Sequence, residues 1–418
     1  MTPPKAGDPR LRDIADLAGT ASEADIEDEI SEEIEQEIGR DLDADPDVPP
    51  LARRLNRLPG WLRVGMGGAL ALAGGYAFHL WHVPLAWLLG ALFGTAALSM
   101  AGVSLPIPTF VRQYGQSVAG FAVGVFFTPE VGQRVLELGG VIVAAGVASI
   151  LVSVVLSVPL ARFGGCDRRS AFFATIPGGL AEMAGFAHQF GADITTVSVV
   201  QSLRVVVTVL MLPAGLALYM HHAVEAGIRH PPEMATLALA GGVVVSIAAA
   251  HLLNRLRIFN AFLLGGLAVG IALGLYVDAP VAAPDYARAV AQIAIGGALG
   301  ARFHWLTLRR LGPRLVPAAL GSTLLLIAAN VGIAWVVSGH VGFPTAVLAA
   351  SPGGIAEMSL SAEALGLAPP IVVAWHLVRI VLVALLTGPL FRLMERGLDR
   401  TPDEASDACA VRRDGTRR

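Results

Sequence analysis

The sequence predicts an all-α polytopic integral membrane protein made of two homologous, inverted repeats, with about ten transmembrane helices and two re-entrant or broken Pro-Gly-Gly segments. Three observations carry that prediction. Hydrophobic residues make up 54% of the 418 positions and charged residues only 15%, with a mean hydropathy of +0.63, well outside the range of soluble domains. The stretch ATIPGGLAEM at 174–183 returns as AASPGGIAEM at 349–358, so Pro177, Gly178, Gly179 and Glu182 recur as Pro352, Gly353, Gly354 and Glu357. The register then continues without a gap, placing Gly191 on Gly366 and Arg204 on Arg379.

Charge divides the chain into unlike parts. Residues 1–50 hold 16 of the 33 acids and 4 of the 30 bases, so an acidic tail precedes a basic, membrane-embedded body. Within the tail, Ile26, Ile30, Ile34 and Ile38 give one short apolar stripe on an otherwise acidic helix. The expectation is a largely disordered N-terminal segment, with a protein partner or the basic loops as its alternative docking surface. The first apolar run starts near Trp61, so the first span is expected to serve as its own insertion signal. Cys166 and Cys409 have no CxxC or histidine partners and read as free thiols, with no metal site and no cofactor.

A bilayer needs about 20 apolar residues per helix, and runs approaching that length occur in the same order twice. The first set lies near 61–82, 84–101, 110–128, 135–160, 169–188 and 194–220, and the second near 235–254, 259–276, 287–304, 315–338, 345–363 and 370–391. These runs define repeats at 60–222 and 234–396, followed by a C-terminal tail at 397–418. Leu88, Leu89 and Gly90 match Leu263, Leu264 and Gly265; Gln116, Gly120, Gly124 and Phe127 match Gln292, Gly296, Gly300 and Phe303. Four-residue spacing puts the Gln and Gly positions on one helical stripe that lets another helix approach closely.

Arginine sets the orientation. Arg53, Arg54, Arg57 and Arg63 precede the first span and place the N terminus in the cytoplasm. Arg162, Arg168 and Arg169 lie before the first Pro-Gly-Gly segment, whereas 339–345 carries no base; Arg255, Arg257, Arg302, Arg309, Arg310 and Arg314 fill loops whose first-half counterparts are nearly bare. The bias inverts between halves, which requires an odd number of crossings in each. Five crossings plus one hairpin per half satisfy it, with both termini and both cysteines cytoplasmic. Twelve plain spans remain the competing assignment.

The broken segments carry the chemistry. Proline removes a helix hydrogen bond and two glycines permit non-helical dihedrals, and such backbone is tolerated at membrane depth only in packed protein or beside a wet cavity. Glu182 and Glu357 sit there, and Arg204 and Arg379 follow each at the same separation inside apolar helices. Two readings stay open: a fixed Glu–Arg staple, or a site in which the acid exchanges a proton or cation and arginine holds an anion. In the second, Glu182→Gln is expected to abolish transport without unfolding the protein. Thr175, Asn330 and Ser351 could line the same cavity or be satisfied within their own helices; His376 replaces Gln201 in the repeat and reads as a packed polar group. The candidate substrate- or ion-binding set is therefore Gln116, Pro177, Gly178, Gly179, Glu182, Arg204, Gln292, Pro352, Gly353, Gly354, Glu357 and Arg379, with no catalytic residue.

From about residue 60 to 395, the doubled PGGxAEM motif, the glycine-rich helices and the arginine helix after each motif resemble the AbrB family of bacterial membrane proteins. That resemblance implies an inner-membrane protein labelled a regulator of gene expression or an ammonia monooxygenase. Nothing in the chain looks like a DNA-reading module, so no direct nucleic-acid partner is expected. The expected partners are the lipid bilayer and a small solute. A secondary transporter accounts for the repeat, the breaks and the buried charges together; a membrane regulator is the alternative, and a monooxygenase ranks last because no metal-ligand cluster or cofactor fingerprint is present.

Overall fold

The computed structural model describes residues 49–220, 233–258, 260–276, 282–303 and 313–398, and all sixteen elements within them are helices. The acidic tail up to residue 48, the C-terminal tail from 399 with Cys409, and Arg309 and Arg310 lie outside the described residues.

In chain order the helices are α1 (Pro50–Asn56), α2 (Gly60–Leu80), α3 (Ala86–Met100), α4 (Thr109–Gly124), α5 (Pro129–Glu137), α6 (Gly139–Gly164), α7 (Arg168–Thr175), α8 (Leu180–Gln189) and α9 (Ile194–Tyr219). The second half adds α10 (Thr236–Arg255), α11 (Ala261–Tyr276), α12 (Asp285–Ala301), α13 (Leu315–Val341), α14 (Phe343–Ala350), α15 (Ile355–Ala364) and α16 (Pro369–Leu398). Each apolar run of the sequence corresponds to one helix or, at the Pro-Gly-Gly segments, to two short ones. Side-chain caps mark several boundaries: Asp167 accepts from Ser170 N–H at α7, and Asp193 from Thr195 and Thr196 N–H at α9.

The protein is an all-α polytopic membrane protein. Helices α6, α9, α10, α13 and the Pro369–Glu395 part of α16 are long and apolar enough to cross a bilayer, and α3 and α11 are shorter apolar helices. Large apolar side chains such as Val155 and Val158 on α6, Val244 on α10, Trp335 and Val336 on α13 and Leu385 on α16 point outward, which suits lipid and would be a liability in water.

Two groups of helices pack separately. The first holds α2, α3, α4, α10, α11 and α12. The second holds α6–α9 and α13–α16. They meet mainly where α15 and α16 lie against α4. In the first group α3 packs on α12 and α4 on α11, so each short helix from one half of the chain leans on one from the other half. The glycine stripes make this possible. A Cβ on Gly120 would stand 2.3 Å from the Leu263 carbonyl oxygen, and one on Gly296 would stand 2.2 Å from that of Leu88. Interhelical bonds from Thr95 to the Gly297 carbonyl and from Ser117 to the Phe262 carbonyl, both 2.9 Å, complete these contacts.

The second group contains the broken segments. Helix α7 stops at Thr175, residues 176–179 run extended, and α8 starts at Leu180; α14 stops at Ala350, 351–354 run extended, and α15 starts at Ile355. The first pair is a hairpin rather than a crossing, because its two ends touch. Ser170 Oγ accepts from Asp193 N–H at 2.7 Å, and Arg169 donates to the Phe190 carbonyl at 3.3 Å. Gly191 and Gly366 adopt positive φ of 67° and 64° directly after the returning helices, which explains why glycine recurs there.

Candidate functional site

A break in a helix frees the carbonyls at the end of its first part. Arg204 on α9 donates to the Ile176 carbonyl at 2.9 Å and to that of Thr175 at 3.4 Å. Arg379 on α16 donates to the Ser351 carbonyl and, at 2.9 Å, to that of Gly353. Both arginines are only 4% exposed. Of the two readings the sequence left open, the Glu–Arg staple is absent: among the described residues neither glutamate pairs with Arg204 or Arg379. The guanidiniums instead donate to backbone carbonyls of the two breaks, that of Ile176 also accepting from Gly178 N–H at 2.9 Å.

The motif's other residues have local reasons. A Cβ on Gly178 would meet Met183 at 2.7 Å and one on Gly353 would meet Met358 at 2.9 Å, so the first glycine of each pair seats the motif's methionine. A Cβ on Gly354 would collide with the Glu357 carboxylate, which folds back over the start of α15. Glu182 folds back similarly and accepts from Gly179 N–H at 3.4 Å.

Beside the breaks lies a cavity of about 170 Å³, between the two helix groups. Of the residues singled out in the sequence, Gln116, Pro177, Gly178, Gly179, Arg204, Gly353, Gly354, Glu357 and Arg379 line it. Glu182, Pro352 and Gln292 do not. Thr175, Ser351 and Asn330 bond to carbonyls of their own helices and stay off the wall. His376 is likewise held within α16, by the Val372 carbonyl at 2.9 Å.

The wall also contains residues the sequence reading passed over. Arg112 and Gln113 come from the start of α4, Arg302 follows α12, and Asn254 and Asn260 flank the turn between α10 and α11. Arg112 and Arg302 both act electrostatically on Glu357. Four arginines and one glutamate thus surround a space the size of a small solute, close to the roughly 150 Å³ of a cavity that holds benzene. Arg112 had a signal: it matches Arg288 at the same offset that relates Gln116 to Gln292. Arg302 and the two asparagines read only as loop polarity.

Comparison with known proteins now supplies the family. The chain is 28% identical over 340 residues to the protein of Escherichia coli K12 named "Putative regulator AbrB", covering 78% of this chain and 95% of that one. It is 27% identical over 356 residues to "Uncharacterized protein YhjN" of Bacillus subtilis 168, covering 78% of this chain and 91% of that one. A sequence model of the family described as "Transition state regulatory protein AbrB" matches residues 87–395, nearly three quarters of the length, and the chain belongs to that AbrB family.

Proposed function

We propose that the chain is a secondary transporter of a small organic anion in the bacterial inner membrane. The observation that carries this reading is the cavity: two broken hairpins from different halves of the chain meet there, under four arginines and one glutamate. Broken helices of this kind line substrate sites in inverted-repeat transporters. Arg204 and Arg379 serve the backbone; we assign the attraction of the anion to the positive charge of Arg112 and Arg302 on the wall, and the exchange of a proton or cation to Glu357, on which both act electrostatically.

The same reading takes residues 60–222 and 234–396 as repeats inverted through the membrane plane, with ten crossings and both termini in the cytoplasm. Contacts at the helix ends support it. Arg134 on α5 reaches the His340 carbonyl at the end of α13, Arg169 pairs with Glu395 and Asn56 bonds to the Gly102 carbonyl. Each pair joins ends that the ten-crossing topology puts on one side.

Uptake into proteoliposomes, measured with a panel of labelled carboxylates, amines and sugars, tests the proposal. The expected result is uptake of a carboxylate that disappears in Glu357→Gln; a panel without any protein-dependent uptake sinks it. The regulator reading rests on the printed name of the Escherichia coli relative. It would be favoured if deleting the protein changed gene expression and Glu357→Gln restored the normal pattern.

A further inference from the structure

The segments at one end of the cavity are basic throughout. Helix α1 lies there: Ala52 packs with Val103, Leu105 and Ala301, Asn56 donates to the Gly102 carbonyl and Arg63 to that of Ser104, both at 2.9 Å. Ala301 precedes Arg302 on the cavity wall, and Asn254 and Asn260 reach the same wall from beside the α10–α11 turn. Residues 49–63, 101–112, 252–258 and 299–303, which build this end, hold eight arginines and no aspartate or glutamate. Arg54, Arg57 and Arg255 are exposed, as are the apolar side chains of Leu51 and Leu256 close to them in sequence. Charge of one sign gathered around a cavity repels itself and concentrates anions there.

The chain carries an acidic group of its own within reach. Residues 23–47 contain 13 acids and one base, and they end two residues before Pro49, the cap of α1. Even wholly helical, this stretch of 25 residues would extend about 37 Å at 1.5 Å per residue, more than three helix diameters of about 11 Å. It can therefore cross from α1 to the α10–α11 turn. Ile26, Ile30, Ile34 and Ile38 give it an apolar stripe to set against Leu51 and Leu256. Tethering holds it at this face at an effective concentration of about mM, which fills even a weak site. It lies outside the family match, which begins at residue 87. We propose that the acidic segment 23–47 docks on the arginine face at the mouth of the cavity and covers it, occupying the positive charge that a small anion would otherwise meet. Docking rests on charge and geometry; its effect on a solute rests on the transporter reading.

Lys5 is the only lysine in the chain, so a single introduced amine can be followed by zero-length cross-linking. The test uses the full-length chain with Lys5→Arg and Arg255→Lys in phosphatidylcholine liposomes, treated with a carbodiimide, which joins an amine only to a carboxylate in contact with it. Mass spectrometry of the monomer should find the amine at position 255 joined to acids between 23 and 47. Raising salt from about 0.05 to about 0.5 M should cut the yield about fivefold or more, as the Debye length falls from about 14 to about 4 Å. Arg134→Lys, at the far end of α13 beside the His340 carbonyl, should give no such link. Absence of a link from position 255, or links from position 134 just as frequent, overturns the proposal. So does a link that forms in phosphatidylcholine and is lost when phosphatidylglycerol is added, because the face then belongs to lipid headgroups. Covering is read separately, in the full-length chain with Cys166→Ser, Cys409→Ser and Asn254→Cys. Adding Glu32→Gln, Glu33→Gln, Glu35→Gln and Glu37→Gln should speed its reaction with an anionic thiosulfonate about threefold or more. An unchanged rate places the tail away from the mouth and also overturns the proposal. Neither readout involves uptake, so a protein that moves no solute fails the transporter reading without deciding this one.

Discussion

The two Pro-Gly-Gly hairpins share a sequence and a backbone but meet different neighbours. In both, an arginine from the following long helix donates to carbonyls freed by the break, and a methionine fills the space over the first glycine. The first hairpin is packed among Phe172, Phe173, Phe186, Phe190 and Phe391, and its glutamate bonds back to Gly179 N–H off the cavity wall. The second lies against α4, and its glutamate is on the cavity wall with Arg112 and Arg302, both of which act on it electrostatically. A repeated motif therefore sets local geometry, while the surrounding helices decide which copy's glutamate reaches the cavity wall.

Removing the arginines should have the largest effect and probes what the hairpins share. Arg204→Met and Arg379→Met each remove a guanidinium that donates to two carbonyls of a break, and each carbonyl left without a donor costs about 1–3 kcal/mol. Thermal unfolding in detergent should show comparable losses for the two variants; a loss confined to one would break the equivalence. The glutamates probe the difference. Glu357→Gln should abolish uptake, whereas Glu182→Gln should leave measurable uptake and cost only the weak bond to Gly179, about 0.5–1.5 kcal/mol of stability. Equal loss of uptake in both would place Glu182 in the transport step after all.

Legibility in the sequence followed the same division. Twelve apolar runs located the long helices and the breaks, because burial in lipid and proline-glycine chemistry are written locally. Helices α1 and α5 were missed: PLARRLN and PEVGQRVLE are short and polar enough to resemble loop. The choice between the two readings of Glu and Arg could not be made from the sequence, because a constant separation does not reveal what a guanidinium meets, and here it meets main-chain carbonyls. Arg302, Asn254 and Asn260 looked like loop polarity, since only the meeting of the two helix groups around the cavity brings them to its wall.

Two smaller effects sharpen the comparison further. Gly178→Ala and Gly353→Ala should each destabilise by about 1 kcal/mol, the low end for overpacking, because methionine can move aside. Melting curves should rank the two alike; a much larger cost at Gly353 would mean the second hairpin is the stiffer. Last, burial pushes the Cys166 thiol, in the loop before the first hairpin, up to about 11, and the Asp167 charge adds to the shift. Its maleimide labelling should rise about tenfold per pH unit from pH 7 to 10, following the thiolate, and only from the cytoplasmic side. A plateau by pH 9 would show that the loop is open.

The pairing of α3 with α12 and of α4 with α11 also bears on how the protein is made. At about 5–20 residues per second, a ribosome that has finished α3 needs roughly 10–40 s more to complete α12. For that time the glycine faces of α3 and α4 are in the membrane without the surfaces shaped to receive them. Nascent chains halted after residue 222 should therefore be held by insertion or quality-control factors, and supplying the second half as a separate polypeptide should release them.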